Sequence, residues 1–219
     1  MTVSKERAYT TTMEAIQFRW DFKAGLTISD DKYVPIGEYI EVIHETKSVE
    51  KKYPMDMFDY VAVDVLAADP FLLTPDMIES FPGSTLLGSK KIAQGGDVLF
   101  CRLGPSIGNR KSLYLHPDIG LVLISGEFHV LRPKEGFTGE GVLCLMKSDA
   151  IVNQAKAKGR GATPSRIRLH RNDLPNLLVP KFSSDQLEKM GNRYIQGRMK
   201  AERLRKEAAS LVEEVSPDF

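Results

Sequence analysis

The stretch SSDQLEKMGNRYIQGRMKAERLRKEAASLVEEV (183–215) carries the strongest periodicity in the chain. Leu187, Met190, Tyr194, Gly197, Ala201, Leu204, Ala208, Leu211 and Val215 follow one another at alternating steps of three and four residues. That spacing keeps one apolar seam facing a partner helix over four heptads. Ser183 and Ser184 stand where a hydroxyl can cap the free amides of the first turn. At 1.5 Å per residue the helix would be ~48 Å long, more than a domain of this size can cover, so it is expected to project. Gly197, Ala201 and Ala208 make the middle of the seam small, which permits close approach of a second helix.

Upstream lies short-stranded sheet. VLFCRL (98–103), SLYL (112–115), LVLI (121–124) and EFHVLRP (127–133) are apolar runs separated by Gly-Pro, His-Pro and Ser-Gly turn signals. GVLCLMKSDAIVNQAKAK (141–158) loses the alternation and predicts one helix ended by Gly159. Nearer the N-terminus, Gln17–Phe22 alternates like a short half-buried strand and YVAVDVL (60–66) reads as a buried one. Ile36, Tyr39, Ile40 and Ile43 sit at helical spacing within 36–46, and 69–88, with Pro70, Pro75 and Pro82, predicts mostly loop. The fold class expected is α+β: a mixed-sheet domain over 1–182 and a long helix over 183–216.

Composition narrows the function. With 219 residues, 42% hydrophobic and 27% charged, the chain can bury a core, and no apolar run reaches the ~18–20 residues of a membrane span. MTVSKERAYTTTMEA has no apolar signal core, and two cysteines are too few for a disulfide framework, so a cytoplasmic location is expected. The formal charge of +1 hides a split: residues 1–90 hold 9 Lys+Arg against 15 Asp+Glu, and residues 91–219 hold 21 against 14. A polyanion, if bound, meets the second part.

Enzyme signatures are weak. Gly104 to Ser112 falls short of a phosphate loop's spacing and leads into a strand, and His44, His116, His129 and His170 are scattered without metal-ligand spacing. Asp30, Glu50 and Lys52 imitate a Mg²⁺-dependent nuclease trio, which is kept as one alternative; a protein-interaction module is the other. No catalytic or metal site is assigned. From Lys156 to Arg171, by contrast, there are six cations (Lys156, Lys158, Arg160, Arg166, Arg168, Arg171) and no acid, with Thr163 and Ser165 among them. Such a segment neutralises phosphates and offers arginine forks to guanine edges. Arg102, Ser106, Asn109, Arg110 and Lys111, beside Gly104 and Gly108, form a second candidate DNA contact.

GDVLFCRLGPSIG (96–108), GATPSRIRLHRNDLPNLLVP (161–180) and Asp185-Gln186-Leu187 opening a long helix occur in this order. Over residues 33–215 the chain resembles the specificity subunits of type I restriction-modification systems. Pro105 in the Gly-x-x-Gly turn and Lys181-Phe182 before the helix depart from the family pattern. The resemblance implies sequence-specific reading of double-stranded DNA for a methyltransferase partner, and possible assembly with a restriction subunit. It also implies no catalysis by this chain, with S-adenosylmethionine, ATP and Mg²⁺ on the partner subunits. Family members carry two target-recognition domains and two helices where this sequence has one of each. A homodimer through Leu187, Met190, Tyr194, Ala201, Leu204, Ala208, Leu211 and Val215 is therefore expected.

Overall fold

The computed structural model describes residues 32–215. The chain divides between Tyr33 and Val34, and the unit from Val34 onward is the one described below. At its centre is β8 (Val98–Cys101), all four of whose residues are buried. Val98 and Phe100 point into a core shared with helices, while Leu99 and Cys101 point into a second core between two sheets. A strand covered on both faces needs apolar residues at every position, which is why VLFC does not alternate.

β8 lies inside a five-stranded sheet ordered β2 (Ile40–Ile43), β11 (Phe128–Pro133), β8, β9 (Ser112–Leu115), β5 (Leu72–Leu73). A second sheet runs β3 (Thr46–Ser48), β7 (Ser89–Ala93), β10 (Val122–Ile124), β4 (Met57–Val61), β6 (Glu79–Pro82). The pairs β5–β9 and β10–β4 are parallel and the other pairings in these sheets antiparallel, so both sheets are mixed. β1 (Tyr33–Pro35) pairs with β12 (Leu178–Pro180). Helices α1 (Gly104–Gly108), α2 (Gly139–Met146), α3 (Asp149–Lys158) and α4 (Ser184–Val215) complete the α+β fold. Asp97 is buried and accepts from Arg132 Nε and Nη2, at 2.9 Å each, and from the Gln94 amide, which fixes the turn entering β8.

Four expectations are corrected. Ile36–Glu38 is one 3₁₀ turn followed by β2, not a helix over 36–46; its helically spaced Ile36, Tyr39 and Ile40 enter one core from a turn and a strand. The strand expected at 60–66 is shifted to Met57–Val61, and Val63–Ala68 is 3₁₀. Within 69–88, β5 and β6 form despite the prolines, because Pro82 ends an edge strand where no ladder donor is required. The helix over 141–158 is two: α2 stops at Met146, and Ser148 caps α3 by accepting from the Ile151 amide. The expected strand at 17–22 lies outside the described residues.

The long helix is present as Ser184–Val215. Ser183 and Gln186 cap it reciprocally, side chain to backbone in both directions. Leu187 is fully buried against Gly141 of α2, and Gly191 faces the Gly141 and Glu140 backbone. Arg198 ends the packed half, reaching the Asp69 carboxylate (3.5 Å) and lying over the Phe71 ring. Beyond it, from Met199 to Leu211, every side chain but the half-buried Glu202 is exposed. A Cβ on Gly191 would stand 2.3 Å from the Gly141 nitrogen, whereas one on Gly197 would meet nothing within 4 Å. Gly191→Ala is expected to cost ~1–3 kcal/mol by forcing α2 and α4 apart. Gly197→Ala is expected to gain up to ~1 kcal/mol. Urea unfolding of the two variants checks the contrast.

Candidate nucleic-acid interface

The two basic segments, 45 positions apart in sequence between Lys111 and Lys156, meet in one surface. β8 is followed by Arg102, whose amide donates to the Glu127 carbonyl (2.9 Å) and whose carbonyl accepts from Leu169 (3.0 Å). Gly104 donates to Ile167 (2.9 Å), so the basic loop is stitched along the entrance to α1. Arg160 and Arg168 close the loop by two reciprocal main-chain bonds of 2.9 and 3.0 Å. Gly161 sits where a Cβ would come within 2.4 Å of the Arg166 carbonyl oxygen. At the other flank, the Lys156 stem packs over Gly108.

The cations divide by what holds them. Lys156, Lys158, Arg166 and Arg171 are exposed and have no ion-pair partner among the described residues. Thr163 and Ser165, their hydroxyls 3.4 Å apart, are exposed with them. Arg168 forks onto both Glu127 oxygens at 3.1 Å, and Arg160 onto Asp173 at 3.2 and 3.3 Å. In the turn, Arg110 donates to Asp149 and to the Lys147 carbonyl (2.7 Å) from a left-handed backbone (φ 56°). Lys111 donates to Asp69 (2.8 Å), the carboxylate that also meets Arg198. Ser106 is half-buried, turned toward the Cys101 thiol, whose pKa is raised by burial and lowered less by that hydroxyl. Asn109 is exposed. Arg102 lies 3.9 Å from Glu127. The turn thus contributes mostly to holding α1, α3 and α4 together, and the loop contributes the free charge.

Sequence reasoning missed the neighbours supplied by the second sheet. Lys91 of β7 donates to the Phe128 carbonyl, and its pKa is lowered to about 8 by burial first and then by Arg102 and Arg171, with Glu127 opposing. His129 lies 3.0 Å from the Leu169 carbonyl and is lowered to about 4, chiefly by burial. His44 is also lowered, by burial and then by Arg171 and Lys91. Alternation in SKKIA (89–93) is the one signal that could have found Lys91, since it shares the inward face of Ala93.

Of the nuclease trio, Asp30 lies outside the described residues, Glu50 accepts from the Gly88 amide (3.1 Å) and Lys52 lies over the Tyr53 ring. No cluster of His, Cys, Asp and Glu among the described residues could hold a metal ion, and none of their helices is long and apolar enough to cross a membrane.

No family model and no curated protein matches the chain. Solved structures do. A chain from a structure of complex assembly and conformational transition in the type I R-M system matches with a TM-score of 0.61 at 24% identity, over 83% of this chain and 46% of that one. The HsdS subunit from Thermoanaerobacter tengcongensis matches with a TM-score of 0.63 at 23% identity, over 84% of this chain and 47% of that one. This chain therefore spans about half the length of either. The α+β fold built around β8 and α4 is one that it shares with a type I restriction-modification specificity subunit.

Proposed function

We propose that the chain is a sequence-specific reader of double-stranded DNA that directs a methyltransferase subunit, and with it a restriction subunit, to a target. The observation that carries this reading is the union of the basic loop and the α1 turn into one surface, on a fold shared with an HsdS subunit. Residues 1–182 would form the reader and 183–216 the spacer and dimerisation helix. Lys156, Lys158, Arg166 and Arg171 neutralise phosphates; Thr163, Ser165 and Asn109 are the exposed polar groups placed to meet base edges. Arg102, Arg160 and Arg168 reach DNA only by sharing their carboxylate partners, while Ser106, Arg110 and Lys111 shape the turn.

Assembly as a homodimer is supported by the distal seam of α4, where Leu204 and Leu211 are half or more exposed. Two readers related by two-fold symmetry would recognise inverted copies of a short word. Methyl transfer and ATP-driven cleavage belong in this reading to cytoplasmic partner subunits holding S-adenosylmethionine, ATP and Mg²⁺.

The test is selection of duplexes from a random library by the chain mixed with a methyltransferase encoded beside it. Recovered duplexes should share a two-part word bound at least ~10³-fold more tightly than unrelated DNA. If the two proteins associate and no sequence is enriched, the proposal fails.

A further inference from the structure

The ends of the two sheets gather more positive charge than the protein itself answers. The register Val130 opposite Ile43 carries His44 on toward His129, and the Arg102 amide is bonded to Glu127 at the same end of β11. Lys91 reaches the same place from β7, its Nζ on the Phe128 carbonyl, and Arg171 follows the anchored Leu169. Glu127 is the carboxylate at the centre, and both its oxygens already accept from Arg168. Arg102 Nε is shut off from solvent without a hydrogen-bond partner, its nearest carboxylate oxygen being 3.9 Å away on Glu127. A buried donor without a partner and gathered like charges both cost free energy unless an anion completes the site.

We infer that His44, Lys91, Arg102 and Arg171 form an anion site that holds one phosphodiester group of the DNA backbone. The inference rests on the DNA-reading proposal and adds to it a contact that fixes the register of the duplex beside the basic loop. A phosphate here accepts from Lys91 Nζ and the two arginines and carries no sequence information, so it positions the reader without choosing the word.

The charge of the site depends on pH in one direction. Lys91 is protonated below about 8 and loses its charge above it. Arg102, Arg168, Arg171 and Glu127 also surround Lys91, and His129, lowered to about 4, is neutral at pH 7. His44, facing Lys91 and Arg171 with Glu41 on its own strand opposing them, is lowered and likewise neutral between pH 7 and 9. Affinity for the phosphate is therefore greatest below pH 8 and falls as pH rises to 9.

The experiment is binding of a mixed-sequence 30-base-pair duplex to the purified chain between 50 and 200 mM salt, at pH 7 and pH 9. Inorganic phosphate is run alongside as a thermal-shift probe. Lys91→Met should weaken duplex binding about tenfold at pH 7. It should lower the log-log salt slope by ~0.9, so that the deficit narrows about 3.5-fold across that salt range. It should also remove the part of the pH 7-to-9 loss that Lys91→Arg keeps from appearing. Arg171→Gln, an exposed substitution, should reproduce the slope change and serves if Lys91→Met does not fold. Phosphate should raise the melting temperature of the unaltered chain and not that of Lys91→Met.

Unchanged slope and pH dependence in folded Lys91→Met and Arg171→Gln, with Lys156→Ala and Arg166→Ala still weakening binding, overturn this site and leave the DNA reading standing. No duplex binding by the unaltered chain, alone or with its methyltransferase, counts against the DNA reading itself. In that case stabilisation by phosphate, lost in Lys91→Met, upholds the anion site, and its absence ends it.

Discussion

Glutamates at Leu204 and Leu211 should convert the proposed dimer into a monomer. In the unaltered chain these leucines are 50% and 62% exposed, on the half of α4 that leaves its own domain. Light scattering should give about twice the chain mass for the unaltered protein and one chain mass for the variant. Two substitutions place four carboxylates in the seam of a symmetric pair, and each unpaired buried ion carries a penalty of several kcal/mol. The helix itself should survive, since glutamate is a good helix former and the packing of Leu187 on Gly141 lies more than four turns away. A single-chain mass for the unaltered protein, both alone and with its methyltransferase, would refute pairing through α4.

The second large effect concerns affinity. Replacing Lys156, Lys158, Arg166 and Arg171 together by glutamine should lower the salt slope of duplex binding by ~3.6, four contacts at about 0.9 each. Unfolding by urea should change little, because none of the four holds an ion pair among the described residues. Arg168→Ala should behave differently: it strips Glu127 of its bidentate partner and loosens the loop, at ~1–3 kcal/mol. Undiminished DNA binding by the fourfold variant would remove the basic loop from the interface.

The sequence made some of this architecture readable and hid the rest for identifiable reasons. α4 and the strands β8 to β11 follow from patterns that a buried strand or a seam imposes on nearly every residue. At 36–46 the pattern was ambiguous, because Ile36, Tyr39, Ile40 and Ile43 satisfy a helical spacing while a turn and a strand deliver the first three to one core and Ile43 to the other. The break between α2 and α3 was signalled locally by Ser148, a capping residue between Lys147 and Asp149. Composition identified both basic segments. Their adjacency, and the roles of Arg110 and Lys111 as ties to Asp149 and Asp69, depend on long-range packing that spacing does not encode. Lys91 was hidden for the same reason, since its partners come from another sheet.

The glycine contact between α2 and α4 turns the helix into a lever whose fulcrum is backbone against backbone. Over the ~36 Å of arm from Gly191 to Val215, a 10° swing at that fulcrum moves the tip by ~6 Å, close to two steps of 3.4 Å along a duplex. Side chains at such a pivot could be remodelled gradually, but Gly141 and Gly191 leave no intermediate distance to occupy. In a paired assembly, residues that never approach DNA would then set the gap between the two half-words. Drift in that gap would come in jumps, while the words themselves stayed fixed.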